Sequence, residues 1–442
     1  MHSVNKSLPH VVILGGGFAG LAAARDLASA PVRITLVDRR NHHLFQPLLY
    51  QVATAALNPS DIAYPIRSVL RSQQNVRTIL ARAERIDAAR KVVVLDSGEL
   101  EYDWLLVATG ATHSYFGHKE WEPWAPGLKT VEDALEVRNR VLSAFEAAES
   151  EPDPRRVREL LTFVVVGGGP TGVELAGSLI EIGRQTVARD FRSFDPRSLR
   201  VVLVEGSDRV LPPYAPVLSK LARRQLERLG VEVVTGVHVT HIDASGVRMG
   251  EQEIRARTVL WAAGVAASPL GASIGAPTDR AGRVLVNPDL SVPGHPEILL
   301  VGDLMSIQTD GKPVPGVAPA AVQSGRHAAR NLRLALAGKP MLPFRYRDKG
   351  SLATVGRAAA VAQFGSLKLS GFLAWWLWWV VHIFYLIGYR NRIAVMIGWA
   401  WQYFAFARGA RLITGRVWRP AQPPGDPVPR VAAGSSASGS AG

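Results

Sequence analysis

Two short runs of glycine carry the most chemistry in this chain. The first is Gly15-Gly16-Gly17-Phe18-Ala19-Gly20, and the second is Gly167-Gly168-Gly169-Pro170-Thr171-Gly172. Each follows an apolar run with strand character, His10 to Leu14 and Thr162 to Val166, and each opens a helical pattern, Leu21 to Ala30 and Val173 to Ile182. Each is also followed by a second apolar run that ends in an acid, Asp38 or Glu205. In such a unit Gly15 and Gly167 allow the tight turn. Gly17 and Gly169 let the backbone approach a pyrophosphate, and Gly20 and Gly172 let helix and strand pack closely. The helix N-terminus then faces the phosphates with free N–H groups, and the acid accepts hydrogen bonds from a ribose diol. A lone pattern of this kind is an ordinary packing turn; two, each in full strand–turn–helix–strand context, point to two dinucleotides.

The two units differ in one respect. Glu205 stands 38 residues after Gly167, beyond the ordinary spacing of about 20, which fits a polar, loop-like insertion around Arg184 to Ser198. A carboxylate at 205 repels a 2′-phosphate, so NADH is expected over NADPH, with Arg209 nearby as a cation weighing the other way.

Three further segments fit a flavin dinucleotide. Leu105 to Gly110 is a strand ending in the small turn Ala108-Thr109-Gly110, and Val259 to Gly264 repeats that form with Ala263 and Gly264. Ile298 to Asp303 is a buried strand ending in Gly302-Asp303, where the glycine admits the cofactor chain and Asp303 can bond ribityl hydroxyls. Alone, Asp303 reads as a plain turn aspartate.

Stepping outward, the chain has 442 residues, enough for two or three domains. With 47% hydrophobic and 20% charged residues it is globular. The expected fold is α/β: two Rossmann-type three-layer domains that bind FAD and NAD(P), the second inserted into the first, with a C-terminal helical membrane-association segment. The expected boundaries are 8–120 with 290–345 for FAD, 155–289 for NADH, and 346–415 for the C-terminal region. Glu149 to Arg158 serves as the crossover, and Asn287 to Pro296 as the return. Residues 418–442, mostly Pro, Gly, Ser and Ala, read as a disordered tail. The absence of cysteine removes structural disulfides, redox dithiols, persulfide relays and cysteine-ligated iron–sulfur clusters. No metal-ligand spacing stands out. Met1 to Pro9 is short and polar, so no targeting peptide is expected.

The formal charge of +14 favours an anionic partner. No nucleic-acid motif is present, and the C-terminal aromatics point instead to a membrane. Gly371 to Gly388 carries only His382 as a group titrating near neutral pH, and Ile393 to Ala407 carries none. The first is at the lower edge of a transmembrane span and the second is short for one, and a hairpin would carry Arg390 and Arg392 across the bilayer, against the positive-inside tendency. A monotopic placement is expected. One helix, apolar on all sides, would be buried against protein or a dimer partner, and the other would lie in the interface. Trp375, Trp376, Trp378, Trp379, Trp399 and Trp401 suit the headgroup boundary, and Lys368, Arg390, Arg392, Arg408 and Arg411 suit anionic lipid.

With these residues assembled, the chain resembles the type II NADH:quinone oxidoreductases from about His10 to Ile413. The segment Asp38 to Ala55, which includes Arg39 and Gln46, looks like that family's flavin-facing stretch. Gly167 to Gly177, Trp261 to Val265 and Asp348 to Gly356 resemble its other motifs, as does the aromatic segment with His382 and Gly388 to Arg392. Ala318-Pro319-Ala320-Ala321-Val322-Gln323 occupies the place of the family's Ala-Gln-x-Ala-x-Gln element, with Pro319 in place of the first glutamine. Proline suits the first turn of a helix, so a helix N-terminus can still face the flavin through Ala320 and Ala321, with Ala318 and Ala320 counted among the cofactor contacts and Gln323 as the polar quinone contact or a surface helix residue. The family also carries a glutamate where Glu174 stands, orienting the nicotinamide or moving a proton; a dipole-favoured acid near a helix start is the plainer account. The resemblance implies FAD, NADH as donor, a membrane quinone as acceptor, no proton pumping and usually a homodimer. With no targeting peptide expected, the simplest compartment is a bacterial cytoplasm, with membrane contact made from that side, on the cytoplasmic face of the inner membrane. Glu174, Lys349, His382 and water are the candidate proton sources for the quinol. Rival readings are a sulfide:quinone oxidoreductase, which needs cysteines; a soluble flavoprotein reductase of a small electron carrier, with no use for the aromatic C-terminus; and an NADH-binding sensor or assembly protein without turnover.

Overall fold

A computed structural model describes residues 8–186, 190–386, 392–393, 395–399 and 410–414. The tail at 418–442, Arg390, Trp401 and Arg408 lie outside the described residues. In chain order, the elements that position the site begin with β1 (His10–Leu14), α1 (Phe18–Asp26), β2 (Arg33–Asp38), α2 (Leu49–Ala53), β3 (Val76–Leu80), β4 (Trp104–Val107) and α3 (Val131–Ser150). Next come β5 (Thr162–Val166), α4 (Pro170–Glu181), β6 (Arg200–Glu205), α5 (Pro216–Leu229), β7 (Val231–Thr235) and β8 (Thr258–Trp261). The last are β9 (Ser291–Val292), β10 (His295–Leu300), α6 (Ala318–Leu336), β11 (Ser351–Gly356), β12 (Ala359–Phe364), β13 (Leu367–Ser370) and α7 (Phe372–Tyr385).

The described chain divides into two compact units. The first comprises Met1–Phe45, Ala63–Ser114 and Val265–Lys349, and the second Gln46–Ile62, Tyr115–Gly264 and Gly350–Gly442. The chain re-enters the first unit at Val265. Strand Val265–Ala267 pairs with Ala111–His113 and draws the following residues with it.

In the first unit a six-stranded sheet runs β9-β10-β4-β1-β2-β3. All its pairs are parallel except β9 with β10. Val11 to Leu14 are buried throughout, as expected where helices cover both faces of a parallel sheet and strands read as unbroken apolar runs. Leu14 pairs with Val37 on one side and Val107 on the other, which brings the glycine turn, Asp38 and Ala108 to one sheet edge. Helix α6 lies against α1 so closely that a Cβ on Gly325 would come within 2.2 Å of the Ala19 carbonyl oxygen.

The second unit repeats the plan with a parallel sheet ordered β7-β6-β5-β8, in which Val166 pairs with Val204 and Trp261. Helix α3 starts in a capping box: Thr130 Oγ1 accepts from Asp133 N at 3.1 Å while Asp133 Oδ2 accepts from Thr130 N at 2.9 Å. At the start of the insertion before Glu205 the chain makes a single π-turn, Ile182–Thr186; residues 190–195 then run without helix or strand, and Pro196–Ser198 make one 3-10 turn. An antiparallel sheet, β11-β12-β13, packs on α4. A Cβ on Gly177 would sit 1.7 Å from the Val355 carbonyl oxygen, so only glycine admits that contact.

Helix α7 follows this sheet. Its buried residues are Ala374 and Trp378, with Ala374 seated against Ala360 and Ala362. Burial on all sides is not met within the chain: Phe372, Leu373, Trp376, Phe384 and Tyr385 are 50–66% exposed. Among the described residues no helix is long and apolar enough to cross a membrane.

Candidate functional site

The first glycine turn has the geometry its sequence implied. Gly15 has φ +101°, and a Cβ there would meet the Ala108 carbonyl oxygen at 2.4 Å; a Cβ on Gly20 would meet the Gly15 carbonyl oxygen at 1.9 Å. At Gly17 a Cβ would meet nothing within 4 Å. Strand, turn and helix are thus packed to backbone contact at the outer glycines and open at the middle one. That is the relief a pyrophosphate needs. The second turn reproduces it: Gly167 has φ +112° and faces the Ala262 backbone, Gly172 faces the Gly167 carbonyl oxygen at 1.7 Å, and Gly169 is open. Pro170 starts α4 and Thr171 follows it. Helices α1, α4 and α6 carry no side-chain cap at their N-termini. The first-turn amides of α1 and α4 are left for another acceptor; in α6 Pro319 has no N–H and the Ala320 and Ala321 N–H groups donate to the Val317 carbonyl at 3.0 Å, which leaves that of Ala318.

The two acids brace these turns. Asp38 accepts from the backbone N–H of Gly16 at 2.6 Å and of Arg40 at 2.7 Å. Glu205 accepts from Gly168 N at 2.5 Å and Ser207 N at 2.8 Å. Arg209 is engaged by the Pro212 carbonyl and Asp208. Arg39 is exposed beside Asp38. Gln46 belongs to the second unit, where its amide donates to the Lys129 carbonyl at 3.0 Å.

Around the first turn the other expected residues of that unit gather. Gly110 has φ +67° with open space beside it, and Thr109 Oγ1 is buried without a partner. Gly302 has φ +69°, a Cβ there would meet those of Ala19 and Ala321 at 3.6 Å, and its N–H donates to Ser324 Oγ at 3.1 Å. Asp303 lies opposite Gly316, where a Cβ would come within 3.4 Å of its carboxylate. Pro319 takes the first turn of α6, as its ring allows, between half-buried Ala318 and buried Ala320. An open middle glycine, uncapped helix ends and a buried orphan hydroxyl fit the phosphates and polyol of FAD. In the second unit, Ala263 and Gly264 (φ +70°) follow β8.

His43 was quoted in the sequence only as part of a longer segment, yet it is built into this turn. It is 1% exposed, stands edge-on to Phe18 at 4.9 Å, and its Nδ1 lies 3.1 Å from the Gly16 carbonyl. A carbonyl only accepts, so Nδ1 carries the hydrogen. Burial lowers the pKa to about 4, leaving Nε2 an unprotonated acceptor with no protein partner. Its location beneath the glycine turn was not readable from residue types.

The residues expected to serve proton transfer are differently placed. Glu174, on α4, is half-buried, and desolvation of its carboxyl pushes it well above the usual range; the Thr354 N–H at 3.5 Å opposes this. Gln323 has both amide atoms on the Arg347 backbone, donating to its carbonyl at 2.9 Å and accepting from its N–H at 3.0 Å. Lys349 is exposed at the end of the first unit. His382 gives its Nδ1 hydrogen to the Trp378 carbonyl at 2.7 Å and stacks on that indole at 4.2 Å; burial lowers its pKa to about 4. Among the proposed lipid contacts, Lys368 is exposed, Arg392 bonds the Leu386 carbonyl, and Arg411 is paired with Asp190.

Residues 9–325 match the family model for pyridine nucleotide-disulphide oxidoreductases, and residues 349–408 match the NDH2 C-terminal domain. The chain is 46% identical over 425 residues to the type II NADH:quinone oxidoreductase NdhA of Mycobacterium tuberculosis, covering 92% of this chain and 90% of that protein. It is 30% identical to the type II NADH:quinone oxidoreductase of Staphylococcus haemolyticus, covering 78% and 87%. The structure of NDH2 from Plasmodium falciparum in complex with NADH superposes with a TM-score of 0.84 at 19% identity, over 92% of this chain and all of that one, and shares the fold. The sulfide:quinone oxidoreductase of Aquifex aeolicus, with a TM-score of 0.69, shares the scaffold, but the chemistry expected of that rival calls for thiols, and this sequence has none. On this evidence the chain belongs to the type II NADH:quinone oxidoreductases, within the pyridine nucleotide-disulphide oxidoreductases.

Proposed function

We infer that the chain oxidises NADH and passes two electrons through FAD to a membrane quinone without pumping protons. The observation that carries this is the duplicated turn, crowded at Gly15 and Gly20 and at Gly167 and Gly172 but open at Gly17 and Gly169. The first turn, with Phe18, Ala19, Asp38, Arg39, Ala108, Thr109, Gly110, Gly302, Asp303, Ala318 and Ala320, would hold FAD. The second, with Pro170, Thr171, Glu205, Ala263 and Gly264, would hold NADH. The domains would be 8–120 with 290–345, 155–289 and 346–415. When bound, FAD supplies the two-electron carrier between donor and acceptor.

The protein's part is positioning and charge. The uncapped end of α1 favours pyrophosphate, and that of α6 favours negative charge on the flavin ring. Glu205 selects against a 2′-phosphate. Glu174, kept protonated to higher pH by burial, can hold or release a proton at its carboxyl beside the nicotinamide. For the quinol, exposed Lys349 is better placed to give a proton than His382, whose hydrogen is committed to Trp378. Gln323 would act on the quinone only by releasing Arg347.

The exposed apolar face of α7 supports membrane attachment without spanning, at an anionic surface on the cytoplasmic side, with a homodimer as the expected assembly. A soluble reductase would leave that face unexplained. Anaerobic stopped-flow of the yellow protein tests the reading: NADH should bleach the flavin faster than NADPH, and quinone should restore it. A flavin that NADH leaves oxidised would refute it.

A further inference from the structure

We propose that Tyr50 is a positioning residue for Glu174, held by a one-way chain of buried hydrogen bonds that starts at the Trp399 indole. The proposal rests on the reading of Glu174 as the carboxyl beside the nicotinamide. All its members lie in the second unit.

Trp399 Nε1 donates to Gln51 Oε1 at 2.6 Å, and Gln51 Nε2 donates to the Tyr50 hydroxyl at 3.0 Å. That hydroxyl lies 3.0 Å from Thr354 Oγ1, and Thr354 N reaches Glu174 Oε1 at 3.5 Å. Trp399, Gln51, Tyr50 and Thr354 are each 5–8% exposed. An indole can only donate. It therefore fixes the Gln51 amide with oxygen toward Trp399 and nitrogen toward Tyr50. The phenol oxygen is thereby an acceptor, and its own hydrogen is turned to Thr354. Every donor points the same way, toward the strand that meets Glu174, and such aligned chains polarise one another.

The geometry at the far end is tight. Val355 is pressed onto Gly177 of α4, and Thr54 Oγ1 bonds both the Tyr50 carbonyl at 2.9 Å and Ser178 Oγ of α4 at 3.2 Å. A contact of 3.5 Å sits at the limit of a hydrogen bond, so a few tenths of an ångström at Thr354 decide whether the carboxylate is supported. Tyr50, in α2, and Tyr214, before α5, are the ionisable groups that interact with Glu174, while Glu181 further along α4 accepts from the Arg357 N–H at 2.5 Å. Glu205, at the end of β6, is taken up by the glycine turn. With burial disfavouring the charge, the Thr354 N–H favours the ionised form. Tyr50→Phe removes the donor that seats Thr354. Trp399→Phe releases the Gln51 amide to turn over, which reverses the phenol hydrogen.

The test is the pH profile of anaerobic flavin reduction by NADH in the full-length holoenzyme. Glu174→Gln should erase the inflection. Tyr50→Phe and Trp399→Phe should each move it upward by about 0.5–1 pH unit, a three- to tenfold change in the acid constant, with flavin content unchanged. The double variant should move it no further than the larger single one, as expected for members of one chain. Gln51→Leu, which keeps the volume but loses both amide ends, should shift it the same way and stands in if Trp399→Phe fails to fold. An inflection that Glu174→Gln erases but Tyr50→Phe and Gln51→Leu leave in place, or a rate lowered equally at every pH, would overturn the chain. An inflection surviving Glu174→Gln would overturn the underlying reading of Glu174, and the proposal with it.

Discussion

Gly17 and Gly20 stand three residues apart and make opposite demands. Gly17 has φ −74° and open space, so alanine there is a legal backbone residue that costs the unliganded chain about 1 kcal/mol or less, the penalty of a poorer helix cap. The methyl would stand where a pyrophosphate must approach. Gly17→Ala is therefore expected to purify folded, with a urea midpoint near that of flavin-stripped wild type, but with flavin content reduced several-fold. Gly20→Ala drives a methyl into the Gly15 carbonyl oxygen and should cost about 1–3 kcal/mol or more through overpacking. If both variants lose flavin and stability in equal measure, the open middle position is not a ligand cradle. His43 adds a pH signature. Its pKa falls from 6.5 in the free chain to about 4 in the fold, so between those values the unfolded chain binds the extra proton. Stability is present above pH 6.5 and is lost as pH falls toward 4. By pH 5.5 one such group costs about 1.4 kcal/mol. His43→Gln, which can still donate to Gly16, should flatten the loss of urea midpoint between pH 7.5 and 5.5 by that amount. An unchanged slope would mean that His43 is not buried in its neutral form.

Elements differed in how far residue order disclosed them. The glycine turns, their flanking strands and the closing acids were legible because each depends on contacts within one short segment: Gly20 meets Gly15, and Asp38 meets Gly16. The insertion before Glu205 was legible only as extra length. What stayed hidden depends on distant segments. Tyr50 meets Thr354 some three hundred residues away, and Gln323 spends its amide on Arg347. Nothing in the local composition marks either partner. The role of β11 to β13 was hidden for the same reason. A cut after Arg347 would remove the whole of β11 to β13. The structure places β11 hard against α4 at Gly177, so that cut strips a face of the helix carrying Glu174. We therefore expect a chain ending at Arg347 to be poorly soluble or to reduce its flavin slowly with NADH. A chain ending after Ser370 should retain NADH-driven bleaching and lose membrane attachment. Equal flavin reduction by the two truncations would show that the sheet does not support α4.

For the molecule as a whole, a surplus of +14 charges and an exposed aromatic helix offer two attractions to a bilayer, and salt separates them. Charge attraction acts over a Debye length of about 8 Å at physiological ionic strength and about 3 Å at 1 M. Burial of apolar side chains has no such dependence and is strengthened by kosmotropic salts. If attachment were carried by charge alone, vesicles containing anionic lipid would release the protein at high salt, and neutral vesicles would never hold it. Phe372, Leu373, Trp376 and Phe384 present large apolar surfaces, each worth about 1.5–3 kcal/mol when fully buried. Two of them outweigh the roughly 1 kcal/mol expected per basic residue at an anionic surface. Lys368 is exposed to take part, whereas Arg411 is already paired with Asp190. The full-length protein should therefore co-sediment with anionic vesicles at low salt, weaken several-fold toward 1 M salt, and still bind measurably. Leu373→Glu with Phe384→Glu should abolish the salt-resistant part and leave NADH-driven flavin reduction intact, because neither side chain lies near the glycine turns in sequence or contacts Glu174. Complete release of the wild type by salt, or full retention of the double variant, would assign the membrane contact to charge or to another surface.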